Sequence, residues 1–240
     1  VNQTRFPNGV VIQGNVLDPQ VISGRFPLII ADPPYGDILD EDWDDWGYEE
    51  YIHLAHVIRG ALIEGGSAYV WGGIGKRENR VFFKFLANVE EETGLNLRNV
   101  ITWGKKRAYG KKDDYLFTRE EIAWLVKGDK PAIFNIPLLD EKRGYAGYNS
   151  KYPAKSEYKR RTNVWSDITE VLRGKKHRAE KPERLAEIMI ETHTNPGDTV
   201  LDLFSGSGNV SVVAARLGRR FVAIEGSKNT FGKIVERLAA

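Results

Sequence analysis

Thr199-Val-Leu-Asp-Leu-Phe-Ser-Gly-Ser-Gly-Asn-Val210 reads as an apolar strand that runs into a glycine-rich turn and opens a helix. Gly206 and Gly208 let the backbone pass close to a ligand, and the N–H groups at the start of the following helix are left to bind it. A second strand, residues 220–224, comes after that helix. Glu225 stands at its carboxyl end, where an acid can accept hydrogen bonds from both hydroxyls of a ribose. This is half of a nucleoside-cofactor site. A dinucleotide fingerprint would place a third glycine where the chain has Ser211, which weakens a nicotinamide reading.

Outward from that half, residues 10–13, 28–31, 67–71, 100–103 and 122–126 are further short apolar runs bounded by turn residues, as buried strands are. Between them, Tyr51, Leu54, Ala55, Ile58 and Leu62 recur at helical spacing, as do Val81, Phe82, Phe85, Leu86 and Val89. Pro182 suits the first turn of a helix carrying Leu185, Ile188 and Met189, and Phe231, Ile234, Val235 and Leu238 mark a last amphipathic helix. The alternation predicts an α/β fold with a doubly wound, mostly parallel sheet. Residues 100–103 and 122–126 have no helix between them, so an antiparallel excursion is expected there.

A second informative stretch is Leu28-Ile-Ile-Ala-Asp-Pro-Pro-Tyr-Gly36, a buried strand that ends in Asp32-Pro33-Pro34-Tyr35. Two successive prolines fix φ and restrict the residue before each, so the turn leaves the sheet rigidly. Asp32 accepts hydrogen bonds when ionised, Pro33 offers a carbonyl, and Tyr35 supplies a ring. Two fixed acceptors can take both hydrogens of an aromatic amino group while the ring stacks on the heterocycle that bears it. A rigid turn with a capping aspartate is the plainer alternative.

The chain has 240 residues, no cysteine and a net charge of +2, so disulfides and thiolate chemistry are excluded. Its longest apolar runs, such as residues 26–31, fall far short of the roughly 18 residues of a membrane span. With a polar start at Val1, a soluble intracellular protein is expected. The small total conceals an uneven distribution. Residues 32–64 hold ten acids against Arg59, whereas residues 142–178 hold eleven bases against three acids. The basic stretch also carries Tyr145, Tyr148, Tyr152, Tyr158 and Trp165 without a repeating apolar period. Cations interleaved with aromatics suit a phosphate backbone and exposed bases, and equally a solvated loop. A second basic loop, Lys105-Lys-Arg-Ala-Tyr-Gly-Lys-Lys112, is a candidate phosphate contact or an exposed hairpin tip. The acidic residues 37–50, with Trp43, Trp46 and Tyr48, read as a flap or a solvated face. His53 and His56 have no third ligand at comparable spacing, and no metal is expected.

Taken together, these motifs resemble the amino-group DNA methyltransferases that use S-adenosyl-L-methionine, in the permuted branch where the catalytic motif precedes the cofactor motif. The resemblance covers nearly the whole chain. Asp32-Pro33-Pro34-Tyr35 is similar to that family's catalytic tetrapeptide in its adenine-N6 form, and Phe204-Ser205-Gly206-Ser207-Gly208 to its cofactor loop, with Glu225 at the ribose position. Val10-Val-Ile-Gln-Gly-Asn-Val-Leu17 resembles its strand ending in Gly-Asp, with Asn15 in place of the acid. His177-Arg-Ala-Glu-Lys-Pro182 resembles its histidine-to-Lys-Pro segment.

The resemblance implies a Rossmann-like methyltransferase fold with residues 1–127 as catalytic half, 128–176 as target-recognition insertion and 177–240 as cofactor half. Asp32, Pro33, Pro34 and Tyr35 become the catalytic set. Asn15, Val16, Asp32, Lys181, Pro182, residues 204–208 and Glu225 become the cofactor set. Lys105, Lys106, Arg107, Lys111, Arg143, Tyr148, Lys151, Lys159, Arg160 and Arg161 become the nucleic-acid contacts. The implied partner is double-stranded DNA with a base flipped for reaction, and a restriction endonuclease beside it is compatible with the family. A monomer or homodimer in a prokaryotic or phage-type cytoplasm is expected. Cytosine N4, an RNA base, or a catalytically silent nucleic-acid binder are the alternatives.

Overall fold

The computed structural model describes residues 2–18, 20–34, 46–73, 80–110, 112–143, 156–171 and 180–239. In chain order the strands are β1 Asn2–Phe6, β2 Gly9–Gln13, β3 Phe26–Ala31, β4 Leu62–Gly72, β5 Leu95–Tyr109, β6 Phe117–Lys127, β7 Leu138–Lys142, β8 Tyr158–Arg160, β9 Val164–Trp165, β10 Thr199–Asp202 and β11 Arg220–Glu225. The helices are α1 Tyr48–Ala61, α2 Arg80–Thr93, α3 Glu183–His193, α4 Asn209–Arg216 and α5 Lys228–Ala239.

Among the described residues nine strands form one sheet in the order β1-β2-β11-β10-β3-β4-β6-β5-β9. The five from β2 to β4 in that order run parallel. The antiparallel excursion is present as β4, β6 and β5, and β1 adds an antiparallel edge. Parallel strands are covered on both faces, which is why β3 reads as a continuous apolar run. Ile29 and Ala31 enter the core layer beneath α1 and α2, with Leu54, Ile58, Phe82 and Phe85. Leu28 and Ile30 face the opposite layer with Leu185 and Met189 of α3, Val213 of α4 and Ile234 of α5. Alternation along a strand therefore feeds two cores at once. Pro27 offers no N–H to a ladder, and the β3–β4 register shifts between Phe26 and Leu28, around that residue.

The order of strands determines where a ligand can sit. β10 and β3 are parallel neighbours, but β10 continues through α4 to β11 on one side and β3 continues through α1 to β4 on the other. In such sheets the crevice opens beyond the carboxyl ends of the two strands where the winding reverses. Asp32 and the glycine turn leave from those two ends.

The described parts of residues 128–176 are tied to the core at several points. Ala132 N–H donates to the Gly65 carbonyl at 2.8 Å and Asn135 N–H to that of Thr192 at 2.8 Å, which binds the start of the interval to the core. At its other end β9 joins the main sheet beside β5, and Trp165 and Ile168 are buried core residues. Trp165 is thus a packing residue, not an exposed stacking surface, because its apolar area is worth more under the sheet edge than in water. The described part that stands apart is the two-stranded sheet of β7 and β8. Among the described residues no helix is long and apolar enough to cross a membrane.

Candidate active site

The turn after β10 is sewn to both neighbouring strands. Leu203 N–H donates to the Ile30 carbonyl at 3.0 Å, and Ser205 N–H to that of Ile224 at 3.0 Å. Gly208, at the N-terminal cap of α4, has φ +78°, a left-handed conformation for which glycine is suited, and a Cβ there would lie 3.2 Å from Ile234 Cγ2. The Gly206–Gly208 turn consequently lies across the switch point, beside the exit of β3.

Asp32 is held from the opposite half of the chain. Lys181 Nζ lies 2.7 Å from Asp32 Oδ2 and 3.3 Å from Glu120 Oε2. Lys105, at the sheet end of the β5–β6 hairpin, makes the second ion pair to Glu120. Cation and anion alternate along this chain of four, which is what lets them sit together largely out of solvent. Burial alone would depress the Lys181 ammonium, but the carboxylates of Asp32 and Glu120 hold its pKa above the usual lysine value. Burial would raise Glu120, and Lys181 and Lys105 outweigh it, keeping that carboxyl below the usual range. Asp32 is therefore oriented by a fully charged lysine at the end of a proline-stiffened turn. Lys181 belongs to this network as well as to the expected cofactor set. Lys105 turns into the network and is not an outward phosphate contact.

The expected cofactor residues gather on the neighbouring side. Glu225 accepts Gly206 N–H at 3.0 Å and Ser227 N–H at 2.8 Å, so it sits under the glycine turn. Burial raises its pKa, against the pull of the N–H groups of Ser227, Gly206 and Gly226. Gly14 N–H donates to the Glu225 carbonyl at 3.1 Å, which brings the Asn15–Val16 loop alongside. Val16 is buried, whereas the exposed Asn15 caps Leu17 N–H with its own Oδ1 at 3.0 Å. Pro182 caps α3, and Asn209 Nδ2 donates to the Lys181 carbonyl at 2.6 Å, tying α4 to that segment. Ser207 receives Arg237 from α5 on its carbonyl oxygen at 2.6 Å. Phe204 meets the Trp46 ring edge to face at 5.5 Å.

These residues suit a nucleoside bearing an amino acid. A carboxylate lies under a turn whose glycines leave room for close backbone approach, an aromatic pair flanks it, and the half-buried Lys181 is near. The indole N–H groups of Trp46 and Trp71 are buried with no acceptor among the described residues. Tyr51, which touches the Trp46 ring and donates to the Trp71 carbonyl at 3.2 Å, lies between them. Buried donors without acceptors are uncommon in a finished core and are expected where a polar ligand or water completes the site.

Of the surface candidates, Lys106, Arg107, Arg143 and Arg160 are exposed, and Lys159 is partly exposed and paired with Glu141. Arg161 is corrected. Its side chain is buried and bidentate to Asp167 at 2.8 Å on both oxygens, holding β9 in place. Tyr35, Lys111, Tyr148, Lys151 and His177 lie outside the described residues, as does most of the acidic segment. Of that segment, Trp46 packs on Phe204 and Tyr51, and Tyr48 pairs with Glu92 of α2.

Two residues of the site escaped sequence reasoning. Glu120 lies in the polar half of β6, beside Arg119 and Glu121, and carries no local signal, whereas Asp202 is an acid that ends the short strand β10 after Val200 and Leu201, and that mismatch was the available signal. Asp202 accepts the Ser205 hydroxyl at 2.8 Å. Burial pushes its carboxyl up to about 7, against the Ser205 hydroxyl and the Phe204 N–H, with the charges of Glu225 and Asp32 adding to the rise.

Comparison with known proteins agrees with this geometry. Residues 26–236 match the N6/N4 methyltransferase family model, described as DNA methylase. Type II methyltransferase M2.DpnII of Streptococcus pneumoniae is 30% identical over 239 residues, covering 89% of this chain and 82% of that protein. DNA adenine methyltransferase YhdJ of Escherichia coli (strain K12) is 29% identical, covering 92% and 80%. The solved structure of PvuII DNA methyltransferase (cytosine-N4-specific) superposes with a TM-score of 0.74 at 19% identity, covering 96% of this chain and 86% of that one. A crevice at the reversal of winding, lined by Asp-Pro-Pro on one strand end and a glycine turn on the next, thus occurs here in a chain that belongs to the DNA methylase family.

Proposed function

We propose that this protein transfers a methyl group from S-adenosyl-L-methionine to N6 of an adenine flipped out of double-stranded DNA. The carrying observation is the 2.7 Å link between Asp32 and Lys181, which fixes the acceptor turn of the catalytic half beside the cofactor half. Glu225, the Gly206–Gly208 turn, Phe204 and Lys181 would hold the cofactor, which when bound supplies an electrophilic methyl group on a sulfonium.

The chain's own residues act on the amine. The Asp32 carboxylate and the Pro33 carbonyl accept its two N–H groups and draw the nitrogen toward tetrahedral geometry, with its lone pair free of the ring. Tyr35 stacks on the base. As the nitrogen becomes cationic, the same acceptors stabilise it, and its surplus proton is released through the Asp32 side. Fixed acceptors act chiefly by orientation and by preorganised charge. No base is needed beforehand, since an aromatic amine proton is acidic only once the nitrogen carries the methyl group.

The β7–β8 sheet and the exposed Lys106, Arg107, Arg143 and Arg160 supply phosphate contacts, and residues 128–176 contain the element that selects the sequence. A restriction endonuclease reading the same sequence is the proposed companion. Incorporation of labelled methyl into unmethylated duplex DNA tests the reading. Asp32→Ala should abolish it while circular dichroism stays that of wild type, and persistent transfer in that variant would overturn the assignment.

A further inference from the structure

We propose that the tip of the β5–β6 hairpin is a wedge that enters the base stack of duplex DNA next to the flipped base. The inference rests on the proposed function and adds a device for opening the duplex. Pairing between β4 and β6 ends at Gly72 opposite Glu121, whereas β5 and β6 stay paired out to Tyr109 opposite Phe117. β4 runs parallel to β3, so the overhang projects past the edge at which Asp32 leaves the sheet.

The overhang carries Tyr115 at 92% exposure, Tyr109 at 63%, Leu116 at 57% and Phe117 at 37%. Four large apolar side chains gathered on one tip are not an ordinary solvated turn, and such a cluster marks a surface with a partner. Lys106, Arg107 and Lys112 surround them, with Asp113 and Asp114 as the acids of the turn, and all five are exposed. Cations around stacking side chains fit a phosphate backbone with bases inside it, not an apolar protein groove.

A wedge must also be anchored at its base, and this one is. Between Gly104 and Tyr109 the β5 register shifts, and the backbone N–H groups of Lys106 and Arg107 donate to the Glu170 carboxylate at 2.9 and 2.7 Å. One residue before them, Lys105 joins Glu120 and thereby Lys181 and Asp32. The tip and the acceptor turn are thus mounted on one network. A base drawn toward Asp32 leaves a gap in the stack, and an aromatic tip at this edge can fill it.

The test compares wild type with Tyr115→Ala/Leu116→Ala, whose side chains contribute little to folding at their exposure. Duplexes carry the sequence that wild type methylates, with the target adenine either paired or opposite an abasic position. The paired duplex should be methylated about ten-fold more slowly by the variant. The abasic duplex, already unpaired, should be methylated within about two-fold of wild type, and Tyr115→Phe should restore most of the paired rate. Equal loss on both duplexes, or no loss, would overturn the wedge, as would a change in sedimentation showing that the tip joins two copies of the chain. If wild type methylated no DNA at all, the proposed function would fall first and the wedge with it.

Discussion

Replacing Glu120 by glutamine removes one of the two anions that pair with Lys181 among the described residues, and the anion paired with the partly exposed Lys105, while keeping the side chain's shape. At the 3.3 Å separation, Coulomb attraction in an effective dielectric of about 20 is roughly 5 kcal/mol. The variant no longer has to desolvate the Glu120 carboxylate, and Asp32 remains 2.7 Å from the ammonium. Removing one partner of a buried pair costs about 3–5 kcal/mol, so with Asp32 still in place the net loss should be about 2–3 kcal/mol. For a chain of this size that is roughly 4–12 °C in Tm. The pH dependence has a definite sign. Glu120 is held below the usual carboxylate range, so its contribution is present above about pH 4.5 and lost as pH falls through its lowered value. Denaturant titrations at pH 7 and at stepwise lower pH should show a deficit in Glu120→Gln that is full at neutrality and shrinks in acid. A variant as stable as wild type at pH 7, or a deficit that grows as pH falls, would refute the network as described.

Asp202→Asn tests the other buried acid: with its carboxyl raised from 3.8 to about 7, its contribution is full below about pH 3.8 and is lost as pH rises through 7. The asparagine variant, which cannot ionise, should therefore gain on wild type by up to about 4 kcal/mol above neutrality, and a difference independent of pH would count against the assignment. Gly208→Ala forces a left-handed alanine 3.2 Å from Ile234 and should weaken S-adenosyl-L-methionine binding about ten-fold by calorimetry, with about 1–2 kcal/mol of strain. Arg161→Met should destabilise the fold by about 1–3 kcal/mol in thermal unfolding, yet leave the salt dependence of DNA binding unchanged. Lys106→Ala/Arg107→Ala should leave stability unchanged and lower the slope of log K against log salt by about two.

The core of the fold was legible because its elements carry local signals. A two-faced buried strand such as β3 is a continuous apolar run, and the glycine turn after β10 declares its own backbone needs. The order of strands was not local. Nothing in residues 164–165 announces that they close the far edge of the sheet, since two residues carry no period. Arg161 looked like a surface residue because its type usually is, and Trp165 because it lies in a basic stretch without a repeating apolar period. A bidentate Asp167 six positions on and a sheet edge reached only in the folded chain put both inside. Lys181 shows the same limit from the other side. Its motif identified it, but its bond to Asp32 spans 149 positions, and Glu120, which completes the network, belongs to a strand with no motif at all.

The central claim is the transfer of a methyl group to adenine N6. Unmethylated duplex DNA incubated with the protein and S-adenosyl-L-methionine, digested to nucleosides and separated by chromatography with mass detection, tests it most directly. The account predicts N6-methyladenine as the product and its loss in Asp32→Ala. N4-methylcytosine in its place, or unmodified DNA from wild-type protein that binds the cofactor, would contradict it.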